Sequence, residues 1–296
     1  WRSTDYGSTW EPLFDSQPTG SIGAIAVAPS NPNIIYVGSG AGIIRPDLAT
    51  GDGVYKSTDG GKTWTHLGLR DSQMIAMIDV DPRDPNRLFV AALGHPYGPN
   101  AERGIFRSTD GGQSFQKVLF KDEYTSGNDV RIDPSDPNTV YATLWQQQQS
   151  FIEGQGFGGA GNGIFKSTDG GTTWKQLTEG LPSIIQANIA LAPSNPRRLY
   201  ATIAGMPNGG QGPATTTGIV GFYTSTDGGG HWTIVVNAAS PCGTSAGSAS
   251  RAAAVSTVVS GTSAMGMAGA RSATRAIRVS QVRQTPPASA AARLSP

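Results

Sequence analysis

One short phrase, Ser-Thr-Asp-Gly-Gly-x-Thr-Trp with small variations, occurs five times, and recurrence at long intervals constrains a fold more than local propensity does. The copies run Ser3–Trp10, Ser57–Trp64, Ser108–Phe115, Ser167–Trp174 and Ser225–Trp232, their serines 54, 51, 59 and 58 residues apart. In a chain of short strand-like runs, such a period means stacked supersecondary units. A second phrase repeats inside each interval, over Ala28–Tyr36, Asp81–Phe89, Asp133–Tyr141 and Ala192–Tyr200. Its Pro presets φ and its Asn tolerates left-handed geometry, so both phrases read as turns between strands.

Each interval divides into four runs rich in Ile, Val, Tyr, Phe, Leu and Ala, separated by turn residues, which is the pattern of half-buried strands. In the second unit these are Ile22–Ala28, Ile34–Gly38, Gly53–Lys56 and Thr63–Leu67. Four antiparallel strands repeated around an axis make a propeller blade. The expected fold is therefore all-β: a β-propeller of four-stranded antiparallel blades. Four complete blades start near Ile22, Met74, Asp129 and Ile184, preceded by the last two strands of another. The chain opens inside a unit, so it reads as a fragment whose first partners are further blades of the same chain. An arc of blades with unpaired edges is expected to be marginal or prone to aggregate.

In an up-and-down meander the first and third turns of every unit share one end of the blade, and both repeated phrases lie there. The second loops gather at the other end. They run Ser39–Asp52, Gly94–Arg103, Trp145–Asn162 and Gly205–Gly221 and differ between units, whereas the Asp-Gly turns stay nearly constant. Ligand contacts are expected among the long, variable loops.

The phrase Ser-x-Asp-x-Gly-x-Thr-Trp resembles the box of the Asp-box (BNR) propellers, which include sialidases, xyloglucan-cleaving glycosidases and the luminal domains of sortilin-type receptors. The stretches Ser21–Pro29 and Ala91–Asn100 resemble the sortilin-N-like bacterial propellers often labelled as glycosyl hydrolases. That resemblance, over about residues 1–236, implies a secreted or surface module, extracellular or periplasmic. It would bind an extended polysaccharide or polypeptide on the long-loop face. The alternative it implies is a glycoside hydrolase acting through paired carboxylates. Sialidases require an arginine cluster, a Tyr–Glu pair and a Phe/Tyr-Arg-Ile-Pro motif; Ile43-Ile44-Arg45-Pro46 is only an echo, so sialidase chemistry is not expected.

The box residues Asp5, Asp59, Asp110, Asp169 and Asp227, with the closing aromatics Trp10, Trp64, Phe115, Trp174 and Trp232, are assigned structural roles. Five equivalent carboxylates cannot all be catalytic, and an Asp in a tight turn accepts hydrogen bonds from nearby N–H groups. The closing aromatics are expected to fill the gaps between sheets. Asp5 differs in having Tyr6 where the other boxes have Gly.

Hydrolysis needs two carboxyl groups about 5 Å apart for retention or about 6.5–9.5 Å for inversion. Loop-face candidates are Asp47, Asp52, Asp71, Glu102, Asp122, Glu123, Asp129 and Glu153. Glu102 is the catalytic candidate, its partner unassigned, because it shares a loop with His95, Tyr97 and Arg103. These three, with Trp145, Gln147 and Phe151 from the Gln-rich loop, form the expected ligand-binding set. Aromatic faces suit sugar rings, and amides direct hydrogen bonds to hydroxyls or peptide groups. The alternative for the Gln-rich loop is an inward-packed Trp145 followed by a solvated linker.

No metal or cofactor is expected. His66, His95 and His231 lack partners at ligand spacing, and no Asp-x-Asp-x-Asp-Gly loop is present to hold calcium. No apolar run has the length to cross a bilayer. Residues 1–236 carry 16 Lys and Arg against 21 Asp and Glu, which argues against a nucleic-acid partner. Residues 237–296 carry six Arg and no acid. That segment is Ala/Ser/Arg-rich, without strand alternation, and holds the sole cysteine, Cys242, so no internal disulfide forms. It is expected to be a disordered tail, either a frame-shifted translation beginning near 236–242 or a natural low-complexity stalk.

Overall fold

The computed structural model describes residues 1–42, 49–95, 97–147, 159–205 and 218–237. Among the described residues sixteen strands form four sheets, each a meander of sequence neighbours. The first holds β1 (Ile22–Val27), β2 (Ile35–Ser39), β3 (Val54–Ser57) and β4 (Thr65–Gly68). The second holds β5 (Ile75–Val80), β6 (Leu88–Ala92), β7 (Gly104–Ser108) and β8 (Gln116–Leu119). In the third are β9 (Thr125–Ile132), β10 (Val140–Gln146), β11 (Gly163–Ser167) and β12 (Lys175–Leu177). The fourth comprises β13 (Gln186–Ala192), β14 (Asn195–Gly205), β15 (Gly218–Ser225) and β16 (Thr233–Asn237). These are four complete antiparallel blades, as the repeats require.

The half-blade expected ahead of them is reduced. Residues 1–21 keep the box turn but form only an isolated bridge between Arg2 and Glu11. The expected tail lies outside the described residues apart from Asn237, the last residue of β16.

Both repeated turns do sit at one end. The N–H of Gly60 donates to the carbonyl of Asn33, Gly111 to Asn86, Gly170 to Asn138 and Gly228 to Arg197, at 2.8–2.9 Å. Inside the second box, Ser57 Oγ donates to Asp59 Oδ1 and accepts the Gly61 N–H, both at 2.8 Å. Asp59 then accepts the Thr63 N–H at 2.9 Å and the Thr63 hydroxyl at 2.6 Å. Those bonds, the Thr63 hydroxyl foremost, hold the Asp59 carboxyl down to about 2, and Thr9 does the same to Asp5. The box also requires a left-handed residue after Asp. Gly60 takes φ 73°, whereas Tyr6 is held at φ 57° in the first copy.

A third repeated feature joins consecutive units. The residue before each box serine is Arg2, Lys56, Arg107 or Lys166, and each donates to the box-glycine carbonyl of the following blade. The partners are Gly60 at 2.6 Å, Gly111 at 3.2 Å, Gly170 at 2.7 Å and Gly228 at 2.8 Å. On the fourth blade Thr224 stands in this position, and its hydroxyl turns back to the Leu199 carbonyl.

The core consists of three apolar layers between neighbouring sheets. Tyr36, Ile75, Leu88 and Phe106 belong to the first, Phe89, Val130, Leu144 and Phe165 to the second, and Tyr141, Ile189, Leu199 and Trp232 to the third. Phe115, Trp174 and Trp232 pack against the three layers and Trp64 meets Phe14 edge-on, whereas Trp10 is 59% exposed. Apolar residues also remain exposed on the two outermost sheets, Ile25 and Val27 on β1 and Ile234 and Val236 on β16.

Candidate functional site

The β6–β7 loop, residues 93–103, carries four of the expected site residues and is fastened on both sides. Toward the first blade, the Asn100 side chain donates to the Asp71 carbonyl at 2.8 Å, and Glu102 Oε2 accepts the Ser72 N–H at 2.9 Å. Toward the third blade, the Asn100 N–H donates to the Glu123 carbonyl at 2.9 Å.

Arg103 is the knot of this arrangement. Expected on an open loop in contact with ligand, it is fully buried instead. Its Nη1 donates to the carbonyls of Tyr124 (2.8 Å) and Gln147 (2.7 Å) and to Ser126 Oγ (2.9 Å). Its Nη2 donates to the carbonyls of His95 (2.6 Å) and Gly98 (3.3 Å). Burial pushes the guanidinium down to about 10, so it stays charged at neutral pH. A planar fork reaches five acceptors from three chain segments, which a loop-surface reading of the sequence does not anticipate. Arg103 thereby places the backbone flanking the exposed ring of Tyr97, while His95 is half-buried.

Gln147 is also buried rather than displayed. Its backbone donates to the Tyr124 carbonyl, while its side-chain amide makes no hydrogen bond among the described residues. Trp145 lies on β10 opposite Ser126, half-buried. Phe151, Asp47 and Glu153 lie outside the described residues. Asp52 is engaged locally, accepting the Tyr55 hydroxyl at 2.6 Å and the Ser39 hydroxyl at 3.2 Å. Asp122 closes a turn by accepting the Tyr124 N–H and the Thr125 hydroxyl. Asp71 and Glu123 are exposed. The structure thus brings Glu102, His95, Tyr97 and Arg103 onto one loop and places Asp129 apart from them, on β9.

Residues passed over in the sequence accompany Asp129. Arg131 Nε lies 3.0 Å from Asp129 Oδ1, and Asp129 Oδ2 accepts the Ile189 N–H of β13 at 3.0 Å. One blade earlier, Asp79 on β5 accepts the Ile132 N–H of β9 at 2.7 Å. Each carboxylate therefore satisfies a backbone donor on the first strand of the next blade. Burial raises both acids; Asp79 reaches about 6 despite the Ile132 bond and the Arg131 charge, with the Asp129 charge adding to the rise. The signal in the sequence was charge on strands otherwise apolar, in Met77-Ile-Asp79-Val80 and Asn128-Asp129-Val-Arg131. Among the described residues no group of three or more His, Cys, Asp or Glu side chains could hold a metal. No helix among them is long and apolar enough to cross a membrane.

Residues 52–188 match the family model described as "Sortilin, neurotensin receptor 3". This decides the repeat type. The chain is an Asp-box β-propeller related to bacterial glycosyl hydrolases. It is similar to the xyloglucanase Xgh74A of Acetivibrio thermocellus, 27% identical over 205 residues, covering 60% of this chain and 22% of that enzyme. A xyloglucanase from a Paenibacillus species is 26% identical over 208 residues, covering 60% of this chain and 18% of that enzyme. The Asp-box chain thus spans about a fifth of the length of the curated relatives it matches. The fold is shared with the crystal structure of an ancestral GH74 enzyme, TM-score 0.52 at 22% identity, over 76% of this chain and 25% of that one. It is also shared with a GH74 enzyme of Niastella koreensis, TM-score 0.51 at 21% identity, over 72% and 29%.

Proposed function

We propose that this chain is a blade arc of a glycoside hydrolase-type propeller that turns its long-loop face to a polysaccharide of the xyloglucan class, outside the cytoplasm. The observation that carries this reading is the sequence relation to two xyloglucanases across 60% of the chain. The face is suited to the task because its loops differ between blades while the opposite turns are fixed by the box network. Tyr97 offers an exposed ring to a sugar face, and Arg103 acts as a positioning residue by holding the carbonyls of His95 and Gly98. Trp145, half-buried on β10, is the residue of the Gln-rich segment proposed to extend the binding region, since Gln147 is buried and Phe151 lies outside the described residues.

Glu102 is the catalytic candidate, a half-buried carboxylate whose Oε2 is oriented by the Ser72 N–H. The test is Glu102→Gln in the full chain, assayed by release of reducing ends from xyloglucan. Loss of about 10²–10⁴-fold in rate, with melting temperature and polysaccharide binding retained, is expected for an acid–base group. Unchanged hydrolysis removes Glu102 from the chemistry. A second reading, capture of an extended polypeptide, is favoured by the match to the sortilin model. It predicts no turnover and saturable binding of polypeptide on the same face.

A further inference from the structure

The first strands of all four blades border one depression of about 370 Å³, to which β1, β5, β9 and β13 each contribute residues. That volume falls at the lower end of the roughly 300–1,000 Å³ typical of small-molecule clefts. Gly42 of the β2–β3 loop, Ile22 at the start of β1 and Gln186 at the start of β13 are among its lining, which therefore reaches the long-loop end of these strands.

The backbone is irregular where it borders this space. Three of the four strands carry a bulge at the same repeat position, where pairing skips Gly23 on β1, Ala76 on β5 and Asn128 on β9. A bulge re-aims a side chain, and all three bulged residues line the depression. The first two are small; a Cβ on Gly23 would fall 2.1 Å from the Ile75 carbonyl, so the first blade offers only backbone there. Together with Met77 they make a low, largely apolar wall. The third and fourth blades make a wall of amides.

That wall is held in place. Asn128 Nδ2 donates to the Ala187 carbonyl at 2.9 Å and to Thr143 Oγ1 at 3.3 Å, and Asn128 Oδ1 accepts from Gln186 Nε2 at 3.4 Å. Asn188, half-exposed, makes no side-chain hydrogen bond among the described residues. The charges in the wall, Asp129 and Arg131, face each other at 3.0 Å and offset one another. Asp129 Oδ1 and Arg131 Nε are buried against each other, so neither charge is presented to the depression.

We propose that this depression is a subsite for one neutral sugar unit, with Asn188, Gln186 and Asn128 contacting its hydroxyls and Met77 meeting its apolar face. The choice of a sugar rests on the hydrolase reading; the neutrality and the two-sided chemistry come from the depression itself. Amides supply donors and acceptors together, as a hydroxyl-bearing ring requires. A hexuronate or an amino sugar would meet a charge already offset by its neighbour.

The test uses the full chain and calorimetric titration with a xyloglucan heptasaccharide, with an oligogalacturonate as the charged control. Asn188→Ala, which removes no contact holding the fold, is expected to weaken heptasaccharide binding about tenfold. Asn188→Trp, which fills the space, should abolish binding at an unchanged melting temperature. Equal affinity in the wild type and both variants overturns the subsite, as does equal binding of the charged control or no binding by the wild type. Hydrolysis that persists with binding untouched by Asn188→Trp removes the subsite and leaves the hydrolase reading standing. Binding lost in Asn188→Trp without any hydrolysis does the reverse.

Discussion

Replacing Arg103 by Met tests whether a buried guanidinium holds the long-loop face together. Five acceptors surround it at 2.6–3.3 Å, from the β6–β7 loop, the start of β9 and the residue after β10. A hydrogen bond to a charged group contributes about 1.5–3 kcal/mol net. The five do not sum, because Nη1 has two hydrogens for three acceptors and burying the charge carries its own cost. Removing one side of a buried charged contact typically costs about 3–5 kcal/mol. We expect that loss for Arg103→Met, a fall in Tm of about 10 °C at roughly 2–4 °C per kcal/mol for a domain of this size. Arg103→Lys, with a point charge in place of a planar fork, should fall between the two. Chemical denaturation measures the loss, and limited proteolysis should show earlier cleavage in residues 94–103, whose His95 and Gly98 carbonyls lose their anchor. A loss below about 1 kcal/mol, with the loop still protected, would refute the reasoning.

Lys166→Met removes the bond to the Gly228 carbonyl and should lower stability by about 1 kcal/mol, read as a Tm shift of a few degrees. Nuclear magnetic resonance should find His231 titrating above its ordinary value, because Asp227 Oδ2 lies 2.8 Å from its Nδ1, and Asp227→Asn should bring it back. Since the folded-state value is the higher one, this contribution is complete below about pH 6.5 and fades as pH rises through the folded value. The exposed Ile25 and Ile234 should promote concentration-dependent association, visible by light scattering; Ile25→Lys with Ile234→Lys should reduce it.

The fold was legible because its determinants are local and repeated. A Ser-x-Asp-x-Gly turn needs its own hydroxyl, carboxylate and glycine, and all sit within eight residues. The cation before each box serine was legible in principle, since Arg2, Lys56, Arg107 and Lys166 occupy one repeat position, but its partner lies on the next blade. Arg103 shows where reading along the chain stops. Its acceptors are backbone carbonyls, which leave no trace in side-chain identity. The pairing of Asp79 and Asp129 with N–H groups across blades is hidden for the same reason. Asn128 reaches the depression through a bulge, and bulges follow from strand register that residue types alone do not set. The first box turn forms from its own residues alone, with Tyr6 where the other copies have Gly.

The central claim is that sugar meets the long-loop end of the first strands and not the Asp-box end. A crystal structure of the full chain with a xyloglucan heptasaccharide tests it directly. The account predicts sugar density over the β6–β7 loop and between β1 and β13, with one unit against Asn188. Sugar bound along the box turns, or against the outer strands alone, would contradict it.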